Sequence, residues 1–141
     1  MTVISLVAGY LSSMNVWADK IDHVRLHLND FYMVSLMTCW MVILMMMLPG
    51  HHSEHRTFIV VILLVSIIVL YYLIRTQTFI DDRQFLNGMI PHHSMAILMS
   101  RRIRERTSNP LIKGLADDII RSQTGEIKIM NDYLINHFEP S

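Results

Sequence analysis

The chain alternates between long uncharged stretches and short polar ones, then changes character after Arg75. Residues 2–18 (T-V-I-S-L-V-A-G-Y-L-S-S-M-N-V-W-A) carry no charge but include Ser, Asn and Gly. As one helix they would be about 25 Å long, marginal for a hydrocarbon core of roughly 30 Å. They read as a weak first membrane span, with an interfacial helix as the alternative. No basic n-region precedes them and no clear small-residue cleavage site follows, so a removable signal peptide is not expected. Residues 19–30 (D-K-I-D-H-V-R-L-H-L-N-D) are a polar connector in which His23 and His27 stand four apart. That spacing suits one helix face. Two interfacial histidines facing water are expected, and a metal-binding pair is the alternative.

Residues 31–48 (F-Y-M-V-S-L-M-T-C-W-M-V-I-L-M-M-M-L) contain no charge and stop at Pro49-Gly50. Residues 58–74 (F-I-V-V-I-L-L-V-S-I-I-V-L-Y-Y-L-I) are also uncharged and end at Arg75. Both are predicted spans. Phe31, Tyr32, Tyr71 and Tyr72 lie near their ends, where amphipathic aromatics favour the headgroup level. The connector 49–57 forces an antiparallel hairpin and holds His51, His52 and His55. Met33, Met37, Met41 and Met45 recur every fourth residue, a slanting stripe read as packing against a neighbouring helix, with a Cu(I) ladder as the alternative.

Beyond Arg75 the charges return: residues 76–141 hold eight of the 12 Lys and Arg and eight of the 12 Asp and Glu. Phe85, Leu86, Met89, Ile90, His93, Ala96 and Ile97 form a helical apolar stripe. Pro91 interrupts it and is expected to kink or restart the helix beside the histidines. Arg101, Arg102, Arg104 and Arg106 close it, favourable charges for a helix C-terminus. Thr107-Ser108-Asn109-Pro110 predicts a turn, with Asn109 as N-cap and Pro110 at the first helical position. A second helix over about 110–137 then places Leu111, Leu115, Ile119, Ile127, Met130 and Leu134 on one side. The fold class is therefore all-α. A membrane domain over 1–75 precedes a two-helix hairpin over 76–141.

Balanced charge excludes the field that nucleic acid would require. The single Cys39 excludes an intrachain disulfide framework. Twelve methionines and eight histidines direct attention to soft-metal chemistry. The densest cluster is Met89 to Met99, M-I-P-H-H-S-M-A-I-L-M. Setting Met89 at 0°, a regular helix puts His93 near about 40°, His92 near about 300° and Met99 near about 280°. Met95, at about 240°, is further round. Met89, His92 and His93 are thus the principal candidate ligands, with Met95, Met99 and Met130 supplementary. Gln123 and Glu126, which share a face with Met130, would add a third ligand or a hydrogen bond to an imidazole. Cu(I) is favoured over Cu(II). The alternative is a hydrogen-bonded histidine pair against a methionine-lined core, without metal.

The run R-T-Q-T-F-I-D-D-R-Q-F-L-N-G-M-I-P-H-H-S-M-A-I-L, followed by L-A-D-D-I-I-R-S-Q-T-G-E-I-K-I-M, resembles domain-of-unknown-function family 305, closest to its small membrane-anchored members. The resemblance implies a ferritin-like helical domain, with Met89, His92, His93, Met99, Gln123, Glu126 and Met130 on family positions. It also implies a bacterial plasma-membrane location and a part in metal tolerance or trafficking. No Glu-x-x-His, H-E-x-x-H or G-x-S-x-G occurs, so an enzyme with catalytic residues is not expected. Lipid, a metal ion and further copies of the chain are the expected partners, because a hairpin of about 60 residues is marginal alone and two would complete a four-helix bundle. A membrane interaction module without metal is the alternative. Three spans would put the N-terminus and the 49–57 connector in the cytoplasm and residues 76–141 outside. The distribution of Arg56, Arg75 and Arg83 opposes that orientation.

Overall fold

A computed structural model describes residues 2–48 and 55–138, and the described residues are helical, without a strand. In chain order the helices are α1 (Thr2–Leu11), α2 (Leu28–Met47), α3 (Arg56–Thr76), α4 (Asp82–Arg106) and α5 (Pro110–Phe138). Short 3₁₀ turns at Met14–Trp17 and Ile21–His23 lie between α1 and α2. His51 and His52 lie outside the described residues. Two compact units result, and the division is not a single cut at residue 75. The first unit contains α1, α2 and α3; the second joins residues 14–27 to α4 and α5.

In the first unit, the expected span over 2–18 is not one helix. Hydroxyls end it: Ser12 Oγ donates back to the Ala8 carbonyl at 2.8 Å, and the chain turns at Ser13. A ten-residue helix is about 15 Å long, half of what a hydrocarbon core requires. Gly9 lets α1 approach α2, since a Cβ there would lie 2.7 Å from Met37 Cε and 2.9 Å from Val34 Cγ1. The bases of α2 and α3 are tied together. Tyr32 Oη donates to the Thr78 carbonyl at 3.0 Å, and Gln77 Nε2 reaches Asn29 Oδ1 at 3.4 Å. Gln77 closes α3 in the left-handed region, φ 51°. By length and composition α2 and α3 are each able to cross a membrane. The two differ in burial. Tyr32, Val34, Thr38 and Ile43 of α2 are buried, whereas no residue of α3 is. Of the methionine row, Met33, Met37 and Met41 are exposed.

The second unit is built on the α4–α5 hairpin. Asp81 caps α4 by accepting from the Gln84 N–H at 2.7 Å, and Asn109 accepts from the Leu111 N–H at 2.9 Å ahead of Pro110. Pro91 neither ends nor restarts α4, which runs unbroken through it. The ring is fully buried, as is its neighbour Ile90, and that burial offsets one missing backbone bond. The core is Ile90, Ile97, Ile127, Met130 and Leu134, with Leu86 and Met89 packed against it. Full burial of one such side chain contributes about 1.5–3 kcal/mol. The predicted stripe of α5 is only half buried: Leu111 and Leu115 remain 76% and 56% exposed.

Residues 14–27 cover the hairpin with polar contacts. Ser94 is fully buried between Ile90 and Ile97 on α4, and its Oγ accepts from the Asp19 N–H at 2.8 Å. His23 Nδ1 lies 2.8 Å from the same oxygen. Arg101 Nη1 donates to both Asp19 oxygens, at 3.0 and 2.7 Å. Arg25 Nη2 donates to Asn131 Oδ1 at 2.9 Å. These contacts correct the expected interfacial pair. His23 is buried, no single helix carries it with His27, and the His27 ring lies against Gly88, where a Cβ would come within 3.3 Å.

Asn15 holds the segment's two ends together. It is 1% exposed, accepts from the Arg25 N–H at 2.8 Å and donates through Nδ2 to the Arg25 carbonyl. Replacing it with alanine strands two backbone groups, and we expect Asn15→Ala to destabilise the segment by about 2–4 kcal/mol. Hydrogen exchange at the Arg25 amide reads the effect. An exchange rate unchanged from wild type would show that the clamp is dispensable.

Candidate metal centre

The histidine pair sits in the middle of α4, and its two members have different surroundings. His92 is exposed. His93 is half-buried and faces α5, with its ring centroid 6.2 Å from that of His92 and nearly perpendicular to it. Its Nδ1 donates to the Met89 carbonyl one turn back, at 2.9 Å. Its Nε2 lies 2.7 Å from Glu126 Oε2 on α5. The other carboxylate oxygen accepts from Ser122 Oγ at 2.9 Å, again one turn back.

Both His93 nitrogens therefore meet acceptors. Nδ1 carries a proton, because a carbonyl can only accept. Nε2 and a carboxylate oxygen at 2.7 Å need a cation or a proton between them. The Ser122 hydroxyl and then His93 hold the Glu126 carboxyl below the usual glutamate range. A carbonyl on Nδ1 is the arrangement that fixes the tautomer of a metal-ligating imidazole and frees Nε2 to bind.

The other expected ligands do not all gather here. Met89 packs its side chain against the core, and Met130 lies inside that core at 8% exposure. Met95 is half-buried, and Met99 is 61% exposed. Gln123, one turn before Glu126, has a buried Oε1 with no hydrogen-bond partner. Among the described residues no three His, Cys, Asp or Glu side chains are grouped to hold one ion. The donors near His93 are thus nitrogen and oxygen, and the two nearest-spaced thioethers belong to the hydrophobic core.

Sequence reasoning missed Ser94 and its partners His23 and Asp19. The available signal was a serine at the i+4 step of an apolar stripe, between Ile90 and Ile97, where a buried hydroxyl demands a partner.

The profile of the family described as "Domain of unknown function (DUF305)" matches residues 74–140. The chain is 55% identical over 134 residues to "Uncharacterized protein L153" of Acanthamoeba polyphaga mimivirus, covering 95% of this chain and 88% of that protein. No solved structure matches it.

Because Glu126 is held low in the folded chain, the stabilisation from its pairing is present above the ordinary glutamate range and is lost as pH falls through the lowered value. We expect Ser122→Ala and His93→Ala each to raise the Glu126 midpoint toward the ordinary value. A side-chain carboxyl NMR titration of the three proteins measures this; an unmoved midpoint in Ser122→Ala would remove the hydroxyl from the explanation.

Proposed function

The chain belongs to domain-of-unknown-function family 305, and from that premise we propose that it is a membrane-anchored metal-binding protein, acting with copper in metal tolerance or trafficking. Binding, not catalysis, is the activity. The observation that carries this reading is the His93 ring, fixed through Nδ1 on the Met89 carbonyl with Nε2 aimed at Glu126. An ion held there would take His93 Nε2, the Glu126 carboxylate and the orphaned Gln123 Oε1, with exposed His92 at the edge. Imidazole with oxygen donors suits Cu(II), which heads the divalent series at nitrogen and oxygen sites. The preference for Cu(I) drawn from the sequence rested on Met89, with Met95, Met99 and Met130 as supplementary thioethers; Met89 and Met130 pack in the core, whereas Met95 is half-buried and Met99 exposed.

The membrane reading rests on α3. Twenty-one residues without a buried side chain, with Phe58, Ile68, Tyr71 and Tyr72 each more than 60% exposed, suit an apolar surrounding such as lipid. On this reading residues 14–27 and α4–α5, which form one unit, lie on one face of the membrane, and α2 and α3 are the two spans between them. We place the second unit on the exterior face.

A second reading, association with another copy of the chain, is supported by one specific observation. At the turn end of the hairpin Met99, Ile103, Leu111 and Leu115 are 45–76% exposed. A second hairpin laid there would complete a four-helix bundle.

The metal reading is tested by competition titration of Cu(II) and Cu(I) against chromophoric chelators. The background carries His51→Ala/His52→Ala/His55→Ala, so that connector histidines do not mask the result. His93→Ala or Glu126→Gln should weaken Cu(II) binding by about 10- to 100-fold, whereas Met130→Leu should leave it unchanged. Equal affinity in His92→Ala/His93→Ala and its parent would sink the site. For association, Leu111→Glu/Leu115→Glu should convert an oligomer into a monomer in mild detergent; a wild-type monomer under the same conditions removes that reading.

A further inference from the structure

In the second unit, away from the His93–Glu126 pair, α4, α5 and residues 14–27 line a half-open cavity of about 250 Å³. None of its lining residues belongs to the candidate metal centre. Three cations, Lys20, Arg101 and Lys128, line it, against the single carboxylate of Asp19. That carboxylate is already committed, since Arg101 Nη1 donates to both of its oxygens. Lys20 and Lys128 form no ion pair among the described residues. Two positive charges are therefore left facing one small space.

The wall also carries neutral polar groups. Ser94 Oγ, which accepts from the Asp19 N–H, lies 2.8 Å from His23 Nδ1 and holds the His23 ring on the cavity wall. Asn131 uses Oδ1 to receive Arg25 Nη2, so its amide N–H₂ remains available. The exposed Lys20 and Lys128, with His23 and the Asn131 amide, thus line a pocket whose one carboxylate is bound by Arg101. We propose that this cavity binds a phosphate-class oxyanion, either free phosphate or the phosphomonoester headgroup of a lipid.

Size narrows the ligand. Pockets for drug-sized molecules begin at roughly 300 Å³, so this one admits a phosphate group and not a whole nucleotide. Tetrahedral oxyanions with two or more charges match converging N–H donors through short, charge-assisted bonds. Ile97 and Ile127 form the apolar part of the wall, against which the glycerol end of a lipid could lie. Asp19, Lys20 and His23 fall outside residues 74–140, so the site requires the segment that the family profile does not cover.

The test uses the full chain in non-ionic detergent, titrated calorimetrically with inorganic phosphate and, separately, with dihexanoyl phosphatidic acid. Wild type is expected to bind at least one probe. Lys20→Ala/Lys128→Ala should lose about tenfold or more in affinity, with the fold intact because both side chains are exposed. Lys113→Ala, an exposed lysine that does not line the cavity, should bind as wild type does. Tighter binding of the short lipid than of phosphate identifies a headgroup; equal binding identifies the free anion; both outcomes uphold the site. No binding of either probe, undiminished binding in the double variant, or an equal loss in Lys113→Ala would overturn it.

Discussion

A hairpin of two helices can bury only one stripe from each, and this thin core governs the second unit. Five residues, Ile90, Ile97, Ile127, Met130 and Leu134, make up its buried apolar cluster. Such a core needs a cover. Residues 14–27 provide it, and they do so through polar bonds. Ser94, the one hydroxyl set between Ile90 and Ile97, receives the Asp19 backbone and touches His23. Each of these bonds contributes little in net terms, about 1 kcal/mol, but leaving its buried partner unmet costs more. The cover is therefore fixed in position rather than tightly held by area.

The same thinness explains the division of labour among the methionines and histidines. Met89 and Met130 fill the core because flexible thioethers suit a narrow, irregular space. His93 stands at the border of that core, where one nitrogen meets its own helix and the other meets α5. His92, one residue earlier, turns to water. Adjacent residues on a helix face about 100° apart, so a pair of histidines is divided between two environments.

Much of the helical outline was legible in the residues. Uncharged runs mark α2 and α3, and Asn109-Pro110 marks the start of α5 with its capping bond in place. Local pattern was silent where contacts span long separations. The polarity of 19–30 read as a water-facing connector because, the Asn15–Arg25 clamp apart, its side-chain partners on the hairpin lie 71 to 106 positions away, on Ser94, Arg101 and Asn131. Pro91 misled for a related reason. A helix propensity counts the missing backbone bond but not the burial of the ring. At the candidate centre, angles around α4 placed His93 beside Met89 but could not say that the backbone of Met89, not its sulfur, would be the partner.

The second unit is interrupted in the chain by the whole α2–α3 hairpin. In folding terms that hairpin is a guest inserted into a host, and its base is pinned by Tyr32 to Thr78 and by Gln77 to Asn29. Pinning shortens the effective loop between residues 27 and 81 from the full length of two helices to a few residues. The entropy of closing residues 14–27 onto α4 falls accordingly. Formation of the apolar hairpin thus acts as an entropic clasp for the closure of residues 14–27 onto α4.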